Sequence, residues 1–189
     1  SGILGRFTRR PVRAAMLAFG VVGIVLLIMM MPSRSHRSHA QPNDANIVHQ
    51  TYNNFDKVLN KSFVPNVKSD DPSTLTTALA KCRCNLHVPT LKQCKYVNGM
   101  HSLYNNDHIA EFVFTRNNDP VYIYEAKLQD VLNGGKPRID PNILNELLQT
   151  GWYFENHLPD CSLILKLVDS TIYCTVADMS KDQLLALLQ

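Results

Sequence analysis

The residues best suited to chemistry crowd into "KCRCNLHVPTLKQC", which holds Cys82 and Cys84 as a Cys-x-Cys pair, then His87 and Cys94. Thiolates and an imidazole are soft ligands, so these four are the candidates for a soft-metal site. None belongs to a Cys-x-x-Cys or a paired zinc-finger spacing, and a bound metal needs more ligands at regular intervals than this. A structural use of the thiols is the simpler expectation. The five cysteines, Cys82, Cys84, Cys94, Cys161 and Cys174, allow at most two disulfides within one chain. Cys84 and Cys94 have nine residues between them, but this spacing occurs once and Pro89 breaks it.

Other reactive side chains are dispersed. His36, His39 and His49 fall in or near a polar linker, and His87, His101, His108 and His157 in or near expected strands and turns. Gly134-Gly135 is followed by Lys136 but opens no helix after a strand, so it does not form a phosphate cradle. There is no Gly-x-Ser-x-Gly elbow. Asp160 beside Cys161 lacks a placed histidine and makes no dyad. The methionines at 29–31 could attract copper(I), yet apolar filling accounts for them. The expectation is a protein that is not an enzyme and carries no cofactor.

The aromatic residues are better ordered than the titratable ones. Tyr96, Tyr104, Phe112, Phe114, Tyr122, Tyr124, Trp152, Tyr153, Phe154 and Tyr173 all fall in or beside expected strands. They read first as a core and its rim. Tyr122, Tyr124, Trp152 and Tyr153 are the candidates for a docking surface, because aromatic rings supply contact area at low entropic cost.

The elements that must position these residues begin with a membrane segment. Ala14 to Met31 is a run of eighteen residues without a charged or strongly polar side chain. At helical rise it spans about 27 Å, close to the hydrocarbon thickness of a bilayer. A cleavable secretory signal has a core of about 7–15 residues, so the run is read as a retained anchor. Arg6, Arg9, Arg10 and Arg13 precede it, and Arg34 and Arg37 follow. This bias places the short N-terminus in the cytoplasm and the rest in a periplasm-like space, where pairing cysteines are at home. A bacterial inner membrane is the expected location; the Arg-rich, acid-poor leader keeps the mitochondrial inner membrane as the alternative.

The net charge of +3 hides an asymmetry. Six of the 19 basic residues precede Gln41, leaving 13 against all 16 acids, so the remainder is near −3. Such a domain is a poor polyanion binder, and nucleic acid is excluded as a partner. The expected organisation is a cytoplasmic N-terminus over 1–13, a transmembrane helix over 14–31, a linker over 32–43 and an extracytoplasmic domain over 44–189.

In that domain Val48, Tyr52, Phe55, Val58 and Leu59 share one face of an amphipathic helix. Asp71 caps and Pro72 opens a second helix that buries Leu75, Ala78 and Leu79. From there the period changes. "NLHVP" reads as a strand stopped by Pro89, and "KYVNG" with "MHSLY" as an extended run bent at Asn98-Gly99. "HIAEFVFT" and "VYIYEA" form a hairpin across "RNNDP", "LNGGKPRIDPN" is a loop, "ILNELLQ" a short helix and "WYFENH" a strand. "SLILKLVDSTIYCTVA" is a hairpin turning at Asp169-Ser170, and "SKDQLLALLQ" is a helix with Ser180 and Gln183 as its capping box. The fold class is therefore α+β: an N-terminal transmembrane helix plus an antiparallel sheet of five or six strands, with helices at the domain's start and C-terminus.

The order of these elements resembles the extracytoplasmic domain of bacterial transmembrane anti-sigma factors and related membrane-anchored regulators. The resemblance covers about residues 84–189 and rests on "VPTLKQCKYVNGMHSL", "IAEFVFTRNNDPVYIYEA", the hairpin "SLILKLVDSTIYCTVAD" and the helix "SKDQLLALL". Members carry a cytoplasmic sigma-binding domain before the anchor, whereas here thirteen residues without Cys or His stand before the apolar run. The resemblance thus implies a shared outer domain in a different role. The leading expectation is a single-pass accessory subunit in the bilayer, docking its outer domain on a larger integral-membrane complex of respiratory or photosynthetic type. Gly20 and Gly23 would permit close helix approach. The alternatives are a transmembrane signalling regulator of anti-sigma type and a periplasmic metal or thiol protein.

Overall fold

The computed structural model describes residues 46–81, 86–104, 107–158 and 160–189, all within the unit Pro42–Gln189. The apolar run at 14–31, the linker, Cys82 and Cys84 lie outside the described residues, and no described helix is long and apolar enough to cross a membrane.

In chain order the elements are α1 (Ile47–Leu59), α2 (Pro72–Lys81), β1 (Lys95–Tyr104), β2 (Asp107–Arg116), β3 (Asp119–Lys127), α3 (Leu128–Leu132), α4 (Pro141–Thr150), β4 (Trp152–Glu155), β5 (Ser162–Val168), β6 (Thr171–Ala177) and α5 (Lys181–Leu188). The strands form one six-stranded sheet in the order β1-β2-β3-β6-β5-β4, antiparallel at every neighbour. This is the expected α+β class, with helices before the first strand and after the last.

Among the described side chains both faces of the sheet are buried over β2, β3, β5 and β6, and strand alternation sorts the residues between them. Ile109, Val113, Tyr122, Tyr124, Leu163, Leu165, Ile172 and Val176 pack with Ile47 and Phe55 of α1 and Leu147 of α4 on the first face. Ala110, Phe112, Phe114, Val121, Ile123, Ile164 and Ala177 pack with Leu75 and Leu79 of α2 and Leu184 and Leu187 of α5 on the second. A strand dry on both sides reads as a continuous apolar run, and Val121–Ala126 of β3 is buried at every position.

Caps set the helix ends. The Asn46 side chain accepts the Val48 N–H at 2.9 Å, and Asp71 accepts that of Ser73 at 3.0 Å. Asp140 accepts the Asn142 N–H at 2.8 Å, and Gly151 ends α4 at φ +80°. Ser180 and Gln183 close the expected capping box on α5. α1 is turned relative to its sequence stripe: Ile47, Thr51 and Asn54 are buried, while Leu59 is 45% exposed. Its first turn is pinned by Ile47 N–H donating to the Arg138 carbonyl at 2.8 Å, and Asn54 is drawn inward by a buried acid described below.

Two local expectations change. "NLHVP" is not a strand: residues 86–90 have no regular structure, and Leu86 and Leu91 plug the second face while the His87 N–H goes to a side chain instead of a ladder. β1 runs through Asn98-Gly99 without ending, and its irregularity lies between Tyr96 and Asn98. The loop after β3 also contains the short helix α3.

The two-residue turns Asn117-Asn118 and Asp169-Ser170 hold all four residues at positive φ, between +46° and +75°. That is the handedness a tight hairpin requires. Asparagine tolerates it; serine at +62° does so at a cost. Replacing Asp169-Ser170 by Asn-Gly should raise the unfolding free energy by about 1 kcal/mol, read as an increase in midpoint in urea titration.

Candidate functional site

Two acids sit where the sheet is driest. Glu111 on β2 is 2% exposed and Glu125 on β3 is 0% exposed, and they point to opposite faces. Glu111 faces α1. Its Oε1 accepts from Asn54 Nδ2 at 2.6 Å, the same nitrogen lies 3.1 Å from the Tyr122 hydroxyl, and Lys57 Nζ donates to Asn54 Oδ1 at 2.9 Å. Desolvation raises the Glu111 pKa, and the hydroxyl of Tyr122, the amide of Asn54 and the charge of Lys57 oppose the rise. The acid therefore fastens α1 to the sheet.

Glu125 faces the second layer. Oε1 accepts the His87 N–H at 3.2 Å, which holds the 86–91 segment down, while Oε2 has no hydrogen-bond partner. Burial pushes its pKa up to about 7; the His87 N–H, Lys127 and Tyr173 act against that rise. The pairing register sets Glu125 in a transverse row with Tyr173 on β6, Lys166 on β5 and Trp152 on β4. Burial raises the Tyr173 hydroxyl far above its ordinary pKa, and the charge of Glu125 adds to the rise.

At its β4 end the row reaches the surface. Trp152 and Phe154, two residues apart, share one face and stack with ring centroids 6.2 Å apart and planes 3° from parallel. Lys166 Nζ lies 4.8 Å from the Trp152 centroid and donates to the Leu188 carbonyl at 2.7 Å. Lys181 Nζ, from the first turn of α5, lies 3.9 Å from the Phe154 centroid. Both rings are half-buried and Lys181 is exposed. Two cations against two stacked rings form a surface that combines apolar area with positive charge.

The expected docking aromatics are divided by this geometry. Tyr122 and Tyr124 are 0% exposed and belong to the core, a correction that follows from the sheet being covered on both faces. Tyr153 points to the face opposite Trp152, where its hydroxyl donates to Glu155 Oε2 at 3.1 Å and burial pushes its pKa up to about 12. Desolvation works against the Glu155 charge, but the His157 N–H and ring and the Tyr153 hydroxyl hold its pKa below the ordinary value. Trp152 is half-buried at the sheet's β4 edge. Phe154, Lys166 and Lys181 were not foreseen; alternation in "WYFE" marks Phe154 as the partner of Trp152, whereas the lysines arrive only through tertiary packing.

The described thiols form no disulfide. Cys94, Cys161 and Cys174 are free, so none of these three forms the disulfide that cysteine counting allowed. Burial pushes Cys161 up to about 12, with Asp178 and Asp160 adding to it, and pushes Cys174 up to about 12 as well. Cys94 is also raised by burial, against the pull of Arg116. Protonated thiols are poor nucleophiles and ligands. Of the metal candidates, His87 is exposed and Cys94 half-buried, Cys82 and Cys84 lie outside the described residues, and no cluster of three or more His, Cys, Asp or Glu occurs among the described residues. An open cavity of about 560 Å³ between Asn66-Val67 and Ser73, Thr74, Thr77, Ala78 and Lys81 of α2 gathers hydroxyls without a titratable pair.

Comparison with protein-family models, with curated proteins and with solved structures finds no match to this chain.

Glu125 makes stability depend on pH. Its folded pKa of about 7 lies above the unfolded carboxyl value of 4.5, so the folded state holds a proton that the unfolded state releases between those values. The contribution of Glu125 to stability is therefore full below pH 4.5 and falls by on the order of 3 kcal/mol as pH rises through 7. Urea unfolding of Glu125→Gln at pH 5 and pH 8 should show most of that decline removed. Asn54→Ala should cost about 2–3 kcal/mol in the same assay, because Glu111 loses its donor while remaining buried.

Proposed function

We propose that this protein is a single-pass, membrane-anchored accessory subunit whose outer α+β domain docks on a larger integral-membrane complex. The apolar run at 14–31 with its arginine flank supplies the anchor, and the charge bias supplies the orientation, with the domain on the periplasmic side of a bacterial inner membrane. The observation that carries the docking role is the half-buried Trp152–Phe154 stack, packed on the second core and bracketed by Lys166 and Lys181. Aromatic rings with adjacent cations, held rigid by a sheet, are what protein interfaces use as anchors. The rings are stiff because β4 pairs with β5 through four residues, so little side-chain entropy remains to be lost on binding.

The test is migration of the full chain in membranes solubilised with a mild detergent. The wild-type chain should travel with a high-mass assembly. Trp152→Ala with Phe154→Ala should shift it to a monomer, each truncation weakening binding by about 2 kcal/mol, with an unchanged circular dichroism spectrum. A wild-type chain that migrates as a lone small monomer would end this reading.

A further inference from the structure

We infer that the β4 edge takes an extended, acidic segment of a partner protein as an added strand of the sheet; this rests on the docking reading above. β4 is one of the two outermost strands. The Gly151 carbonyl accepts the Leu167 N–H at 2.9 Å, which sets the phase of the ladder. In an antiparallel pair the hydrogen-bonded positions then fall at Tyr153 and Glu155, opposite Leu165 and Leu163, and the backbone groups of Trp152 and Phe154 face away from β5. Trp152 has both of its outward groups occupied within the chain: its N–H donates to Thr150 Oγ1 at 3.0 Å, and that hydroxyl donates to its carbonyl at 2.7 Å. Phe154 has no such cover among the described residues. Its N–H and C=O form one open pairing position at the centre of the aromatic patch.

The side chains around that position specify the sign of the visitor. Lys166 and Lys181 lie on the rings of Trp152 and Phe154, and among the described residues neither is ion-paired to an acid. The acid of the same strand, Glu155, lies on the other face and is engaged by Tyr153 and His157. A strand laid beside β4 would project alternate side chains along the Trp152–Phe154 face. Two carboxylates two residues apart match two ammonium groups that sit on rings two residues apart. No proline and no bulge interrupts residues 152–155, so the edge is protected only by its shortness and by the Thr150 hydroxyl on Trp152.

Trp152 is the single tryptophan of the chain and reports directly on this face. The full chain in detergent micelles is titrated with an acetylated hexapeptide of alternating Val and Glu, with its Val-Lys counterpart, and with phosphatidylglycerol vesicles, following Trp152 emission. The acidic peptide should give a saturable shift that Lys181→Glu weakens at least tenfold and that Phe154→Pro, which removes the outward N–H together with the ring, weakens well beyond Phe154→Ala, which removes the ring alone. Equal response to the Val-Lys peptide, or response to vesicles without response to the acidic peptide, overturns the proposal; the latter would make the patch a lipid contact. The same variants are run in the migration assay, where Lys181→Glu, a surface change, guards against a folding defect in Phe154→Pro. If Trp152→Ala/Phe154→Ala frees the chain while Lys181→Glu remains bound and Phe154→Pro behaves as Phe154→Ala does, docking stands and strand addition falls. If all remain bound, docking falls too.

Discussion

Everything in this domain depends on a sheet that is dry on both faces. Its central strand β3 is buried from Val121 through Ala126, with β2 and β6 packed beside it. Parallel sheets reach this state through crossover helices; an antiparallel sheet more often leaves one face to water. Here α1 and α4 cover one side and α2, α5 and the 86–91 segment the other. In the middle of such a sheet each strand side chain enters one of two cores, as those of Val121–Ala126 do.

That constraint explains the two glutamates. An acid in the middle of a covered strand must find donors or hold its proton. Glu111 finds Asn54, and in doing so turns α1 so that an amide, and not only its apolar stripe, faces the sheet. Glu125 finds one backbone N–H, keeps one oxygen unpartnered, and has its pKa lifted to about 7. One acid bonds Asn54 of a helix, the other the His87 N–H of an irregular segment. The same covering removes Tyr122 and Tyr124 from any surface and leaves Trp152 and Phe154 of β4 half-buried at its rim.

Much of the architecture was legible in the chain. The hairpins around Asn117-Asn118 and Asp169-Ser170, the caps at Asp71 and Ser180, and the change from helical to strand period all act over a few residues, so local sequence specifies them. "NLHVP" misled because Leu86 and Leu91 are apolar for a tertiary reason: they plug a core without joining a ladder. The candidate site was legible only in part. Trp152 and Phe154 are neighbours on one face by alternation alone, but nothing near them in the chain announces Lys166 or Lys181, which come from β5 and α5.

The sequence by itself determined most element types, the turn positions and the apolar run at 14–31, because these follow from periodicity, caps and composition over short windows. The tertiary structure alone decided which face each strand residue serves, that both faces are covered, and hence which aromatics are core and which are rim. The physical reason is that a side chain's burial depends on what lies across the sheet from it. For β4 that neighbour is Lys181, twenty-seven residues beyond Phe154 in the chain, and only the packing of α5 against the sheet brings the two together.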